Sequence, residues 1–246
     1  MCLDCNCGQP QNHSHDHSHD HSHDHGKKHS HTHLQLGLDL LARNNELAQQ
    51  NRQRFASSGL TVINLLSSPG SGKTALLERL AKDWAPQHPL AVVVGDLATD
   101  NDAQRLRRAG VEAIQITTGQ ACHLEAAMVQ RAVAELQLNE LELLVIENVG
   151  NLVCPAAYDL GESLRLVMLS VTEGEDKPLK YPSMFQSADL VLISKIDLAS
   201  AVEFNHGLAH RHIKQVAPAA TVLELSAKTG AGMEQLYGLL QQGRGG

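Results

Sequence analysis

Aromatic residues are scarce in this sequence, where one Trp, three Tyr and three Phe make up 3% of 246 residues. The core must therefore rely on Leu, Val, Ile and Ala, and a hydrophobic content of 42% supplies them amply. No apolar run approaches the ~20 residues needed to cross a bilayer, which argues against membrane insertion. The start of the chain also lacks the basic and then apolar pattern of an export signal, so a cytoplasmic location is expected. Basic excess is missing too. A net charge of -7 argues against nucleic acid or an anionic membrane as the main partner. Five cysteines, three of them in the first seven residues, make a poor disulfide framework. They suit metal thiolates in a reducing compartment.

What is present divides unevenly. Residues 1–33 read as a disordered metal-binding tail, 34–58 as a helix that packs on the core or a partner, and 59–246 as the main domain. Cys2, Cys5 and Cys7 sit in one turn-sized loop, where three thiolates can close around one ion; a terminal amine or an imidazole would complete a set suited to zinc or nickel. Beyond them His13, His15, His17, His19, His21, His23, His25, His29, His31 and His33 alternate largely with Ser and Asp. Such a tract has nothing to bury, and many interchangeable imidazoles make a weak metal store; a purification tag or a solvated linker are the competing readings. The segment 34–56 carries Leu36, Leu40, Leu47 and Phe55 at helical spacing.

From residue 60 onward apolar runs at 60–66, 90–94, 112–116, 141–146, 164–171, 190–193 and 221–225 alternate with helical patterns that include 102–109, 122–136 and 201–216. This predicts an α/β fold, a P-loop NTPase whose mostly parallel seven-stranded sheet is flanked by helices. Ligands of such sheets lie beyond the carboxyl ends of the strands. The first run leads into Ser67-Ser68-Pro69-Gly70-Ser71-Gly72-Lys73-Thr74, a phosphate-binding loop that opens a helix. Gly70, Ser71 and Gly72 would turn backbone N–H groups toward phosphate, Lys73 would reach the β- and γ-phosphates, and Thr74 would hold Mg²⁺. Ser67 stands where the usual pattern has glycine.

Asp96 follows the second run, with Asp100 and Asp102 beyond it. Asp96 is expected in the magnesium shell and Asp102 beside the attacking water, although acidic residues in such loops also serve as helix caps. Glu147-Asn148-Val149-Gly150 ends the fourth run, in the place of the element that senses magnesium and γ-phosphate. Ser194-Lys195-Ile196-Asp197 matches the guanine-reading pattern with Ser in place of Asn, and Ser226-Ala227-Lys228 resembles the loop that closes over the base. The Asp197 carboxylate can accept from guanine N1–H and the 2-amino group, which favours GTP over ATP by about tenfold to a hundredfold. Cys122-His123 and Cys154 leave the same sheet edge as the nucleotide loops and offer a second, three-donor metal set, with isolated buried cysteines as the competing reading.

Taken together, the Cys2-x-x-Cys5-x-Cys7-Gly8 start, SSPGSGKT, Cys122-His123, the run from Glu147 to Pro155 and the run from Thr172 to Pro182 resemble the HypB family. These are the GTPases that insert nickel during maturation of nickel-iron hydrogenase. The resemblance implies a high-affinity nickel site at Cys2, Cys5 and Cys7 and a weaker nickel or zinc site at Cys122, His123 and Cys154. It further implies a GTP-promoted homodimer, a companion nickel chaperone and the hydrogenase large-subunit precursor as recipient. GTP and Mg²⁺ would order the loops 96–102 and 147–154, and hydrolysis would release the ion. A urease-maturation GTPase, a nickel-storage protein with a vestigial P-loop and a P-loop kinase are the rival readings.

Overall fold

The computed structural model describes residues 26–242, with side chains from 37 to 241. Helix α1 (Gly26–Ser57) leads into strand β1 (Thr61–Ser67) and helix α2 (Lys73–Asp83). Then follow β2 (Leu90–Asp96), α3 (Asn101–Arg108), β3 (Glu112–Thr117), α4 (Ala126–Ala132) and β4 (Leu143–Glu147). The second half adds β5 (Leu164–Ser170), α5 (Lys177–Lys180), α6 (Pro182–Gln186), β6 (Leu190–Ser194), α7 (His206–Val216), β7 (Thr221–Glu224) and α8 (Met233–Gln242). All seven strands run parallel in the order β3-β2-β4-β1-β5-β6-β7.

Helices cover both faces of this sheet, so its central strands bury every side chain and read as unbroken apolar runs. Period-two alternation still decides which face each residue feeds. Ile63 and Leu65 of β1 join Leu76, Leu77 and Leu80 of α2 and Leu236 and Leu240 of α8. Val62 joins Phe55 of α1 and Val129 of α4, while Leu66 joins Phe185 of α6 and Ile213 of α7. Asn64 lies between Val62 and Leu66 on that second face and is wholly buried.

Helix boundaries depart from the sequence pattern. The first helix starts at Gly26 rather than at 34, so His29, His31 and His33 lie on its opening turns. Its docking stripe is different in part: Phe55 is buried as expected, but Leu40 is exposed and Asn44, Ala48 and Asn51 are buried in its stead. Asn44 Oδ1 accepts from Ala126 N (2.9 Å), the first amide of α4, whose preceding residue Glu125 supplies no side-chain cap. Asn51 Nδ2 donates to the carbonyls of Ala126 (3.0 Å) and Leu160 (3.1 Å). The helix therefore docks by answering the open first amide of α4 and by bonding to backbone carbonyls of α4 and the 160s loop. The pattern expected from 122 becomes helical at Ala126, leaving Cys122 and His123 in a loop, and the one expected from 201 begins at His206.

Candidate functional site

Strand order places the chemistry. Because β1 runs between β4 and β5, the loop after Ser67 emerges beside Glu147, which stands opposite Leu65 in the parallel register. Gly70 (φ +75°) and Gly72 (φ +104°) adopt left-handed conformations that L side chains resist, and Gly72 stands at the N-terminus of α2 without a side-chain cap. The first amides of α2 are thus left for an anion.

Lys73 Nζ donates to Ser67 Oγ (3.0 Å), and Ser67 in turn donates to the Ser68 carbonyl (2.7 Å). The serine that departs from the usual glycine thus holds the Lys73 ammonium. Burial lowers the Lys73 ammonium below its ordinary pKa, against the opposing fields of Glu147, Asp102, Glu173 and Asp96. Thr74 Oγ1 donates to Glu147 Oε1 (3.1 Å), and Glu147 Oε2 is buried with no hydrogen-bond partner among the described residues. Burial pushes Glu147 up to about 7, although Lys73 and the Thr74 bond pull the other way. A hydroxyl and an under-partnered carboxylate side by side fit a small, oxygen-seeking cation such as Mg²⁺.

Asp96 and Asp102 reach Lys73 through their charge rather than by hydrogen bonding. Burial disfavours the Asp96 anion, but amide donors from Ala98 (2.9 Å) and Thr99 (3.0 Å) outweigh it and hold the carboxyl below its usual range. Asp96 thus shapes its own turn. Asp102 lies in the first turn of α3, 3.4 Å from Arg105, and Asp100 Oδ2 accepts from Gln104 (2.7 Å).

The loop after β6 meets the loop after β1 directly. Ser194 Oγ donates to the Ser71 carbonyl (2.8 Å) and Lys195 Nζ to the Gly70 carbonyl (2.6 Å). Lys195 holds a left-handed backbone (φ +59°), which turns its stem along the phosphate loop. Asp197 Oδ1 accepts from Ser226 Oγ (2.6 Å), whose oxygen also accepts from Thr229 N (3.2 Å). Ala227 packs against the core and Lys228 is exposed.

Cys122, His123 and Cys154 come together with their donor atoms within 4.8 Å of one another. The cysteines are half-buried and in no disulfide, and His123 is buried. Burial lowers the His123 pKa despite Glu125 nearby, keeping the imidazole in its neutral, metal-binding form at pH 7. Its ring stacks on Tyr158 at 3.8 Å between centroids. Two sulfurs and one nitrogen suit nickel or zinc, with a further position left for another donor. Sequence reasoning gave no sign of Tyr158, nor of the buried Asn64 and Glu162 and the half-buried Arg165 that brace these loops; Asn148 was visible only as an inner position of the Glu-x-x-Gly element, and Ser67 only as a departure. Cys2, Cys5, Cys7 and His13 to His25 lie outside the described residues, as do the side chains of His29, His31 and His33.

A P-loop, a Glu-x-x-Gly element and a Ser-Lys-x-Asp base loop on one parallel sheet define a P-loop GTPase. Residues 61–224 match the family model described as CobW/HypB/UreG, nucleotide-binding domain. The chain is 50% identical over 208 residues to the hydrogenase maturation factor HypB of Rhizobium leguminosarum bv. viciae, covering 85% of this chain and 70% of that protein. It is 45% identical over 207 residues to the hydrogenase/urease maturation factor HypB of Helicobacter pylori, covering 82% of this chain and 84% of the relative. The crystal structure of Helicobacter pylori HypB in complex with nickel superposes with a TM-score of 0.79 at 44% identity, over 82% of this chain and 95% of that one. HypB from Archaeoglobus fulgidus follows at 0.75 and 40%, over 81% and 99%. The chain belongs to the HypB family of hydrogenase maturation factors.

Proposed function

We propose that this chain is a nickel-binding GTPase that uses GTP hydrolysis to drive nickel delivery into the nickel-iron hydrogenase large-subunit precursor. The observation that carries the reading is the Cys122, His123 and Cys154 donor set, with Cys154 seven residues beyond Glu147 at the nucleotide end of the sheet. Lys73 and the amides of Gly70, Ser71 and Gly72 bind the phosphates; binding would draw Lys73 off Ser67. Thr74, Glu147 and Asp96 would hold Mg²⁺, which would supply positive charge to offset that of the phosphates. Asp102 orients the attacking water. Lys195, Asp197 and the Ser226-Ala227-Lys228 loop read guanine.

Nickel is the cargo, and zinc competes for the same soft donors. Residues 1–33 would add a tight site at Cys2, Cys5 and Cys7 and a histidine store, 34–58 would dock that tail on the GTPase domain of 59–246, and GTP would favour a homodimer. The setting is cytoplasmic, with a companion nickel chaperone between this chain and the precursor.

The test is nickel capture by a chromogenic chelator after GTP is added to the loaded protein. The parent releases nickel as phosphate appears, and Lys73→Ala, which loses the phosphate-binding ammonium, turns over GTP about a hundredfold more slowly and holds its nickel. Equal release from both would contradict the reading.

A further inference from the structure

The two segments that carry the metal donors are joined by a buried polar chain that passes through the residue next to Glu147. Asn148 is 1% exposed, and its backbone N–H donates to the Leu65 carbonyl (3.0 Å), extending the contact of β4 with β1. Its Oδ1 accepts from Leu124 N (3.2 Å), the amide that follows His123, and from Val149 N (2.9 Å). Its Nδ2 donates to Asn64 Oδ1 (3.2 Å) on β1. Asn64 Nδ2 donates to Glu162 Oε1 (3.1 Å), which also accepts from Arg165 Nε (2.9 Å) and Nη2 (2.7 Å).

Arg165 then holds the far side. Its Nη1 donates to the Ala156 carbonyl and its Nη2 to the Tyr158 carbonyl, both at 3.0 Å. Ala156 lies two residues beyond Cys154, and Tyr158 stacks on His123. The circuit closes on itself: Leu124, Asn148, Asn64, Glu162, Arg165, Tyr158 and back to His123. Its nucleotide end is equally tight, because a Cβ at Gly150 would lie 3.0 Å from the Pro69 backbone of the phosphate loop. A shift of the 147–150 loop on γ-phosphate binding would therefore move Asn148, and with it both metal-bearing segments. Buried networks of this kind have discrete arrangements rather than soft ones, because each broken bond strands a polar group.

We infer that Asn148 is the positioning residue that couples nucleotide state to the metal site, by tying the Cys122-His123 loop to β1 and, through Asn64, Glu162 and Arg165, to the Cys154–Tyr158 segment. The inference rests on the functional reading above. A network that merely supports the fold would lower nickel affinity in both nucleotide states alike, whereas a coupling residue changes their ratio.

The experiment uses the full chain with Cys2→Ser, Cys5→Ser and Cys7→Ser. Ni²⁺ is titrated with GDP or with a non-hydrolysable GTP analogue, reading the thiolate-to-nickel charge-transfer band that histidines alone do not give. A parent affinity ratio of about fivefold or more is expected, and Asn148→Ala brings it to within about twofold of one. Arg165→Lys keeps the charge pair with Glu162 but loses the fork on the two carbonyls, so it collapses the ratio by the other arm even if Asn148→Ala fails to fold. Retention of the parent ratio in either folded variant overturns the inference alone. A parent ratio of one overturns the functional reading and the inference together.

Discussion

At the residue scale the site is a set of groups held short of their charged or bonded optimum. Glu147 is the clearest case, since its carboxyl is raised from 4.5 to about 7 by burial. In the folded, ligand-free protein it keeps its proton where the unfolded chain has lost it. The folded state therefore binds more protons between these two values, and stability falls as pH rises from about 4.5 to about 7, then levels off. The fall attributable to this group is about 3 kcal/mol, and urea titrations at pH 5 and pH 7.5 should show it shrink in Glu147→Gln. On the proposed reading, Asp197→Asn exchanges one acceptor for a donor toward guanine N1–H. It should cost about 1–3 kcal/mol of GTP affinity, read by competition of GTP against ATP.

The motif residues were legible in the sequence because their chemistry is local: Gly-Lys-Thr after an apolar run, or Lys-x-Asp at a strand end. The contact of Asn148 with Asn64 was not. They are 84 residues apart and meet only through the parallel register of β4 on β1, which no local pattern encodes. Tyr158 was invisible for the same reason, as its stack on His123 depends on where two loops cross.

Among the elements, the strands were the most legible part. All seven lie within a few residues of the apolar runs, since a sheet covered on both faces demands unbroken burial. Helix α1 was legible as a helix and through Phe55, but not in its start at Gly26 or in the rest of its docking stripe, where Asn44 and Asn51 stand in place of leucines. A periodicity that counts only apolar residues finds Leu40, which is exposed, and passes over Asn44 and Asn51. The start of α4 was misjudged since Leu124 continues the apolar pattern although it packs beneath β2, 2.8 Å from where a Cβ at Gly95 would stand. Replacing Asn51 with Ala removes its donor from the buried Leu160 carbonyl and its bond to α4, so it should destabilise the protein by about 1–3 kcal/mol in urea unfolding. A change below about 0.5 kcal/mol would show that the Asn51 bonds do not hold α1 to the domain.

For the whole molecule, the order β2-β4-β1-β5-β6 brings the phosphate loop, Glu147, the base loop and the Cys122, His123 and Cys154 set to one end of the sheet. Proximity by itself does no work. Delivery of an ion requires that the nucleotide discriminate between two arrangements of its ligands, and linkage then obliges nickel to discriminate between GDP and GTP by the same factor.

The most direct measurement is calorimetric titration of Ni²⁺ into the chain lacking the Cys2, Cys5 and Cys7 thiols, loaded in turn with GDP and with a non-hydrolysable GTP analogue. Dissociation constants that differ by about fivefold or more are predicted. Equal constants would contradict the account.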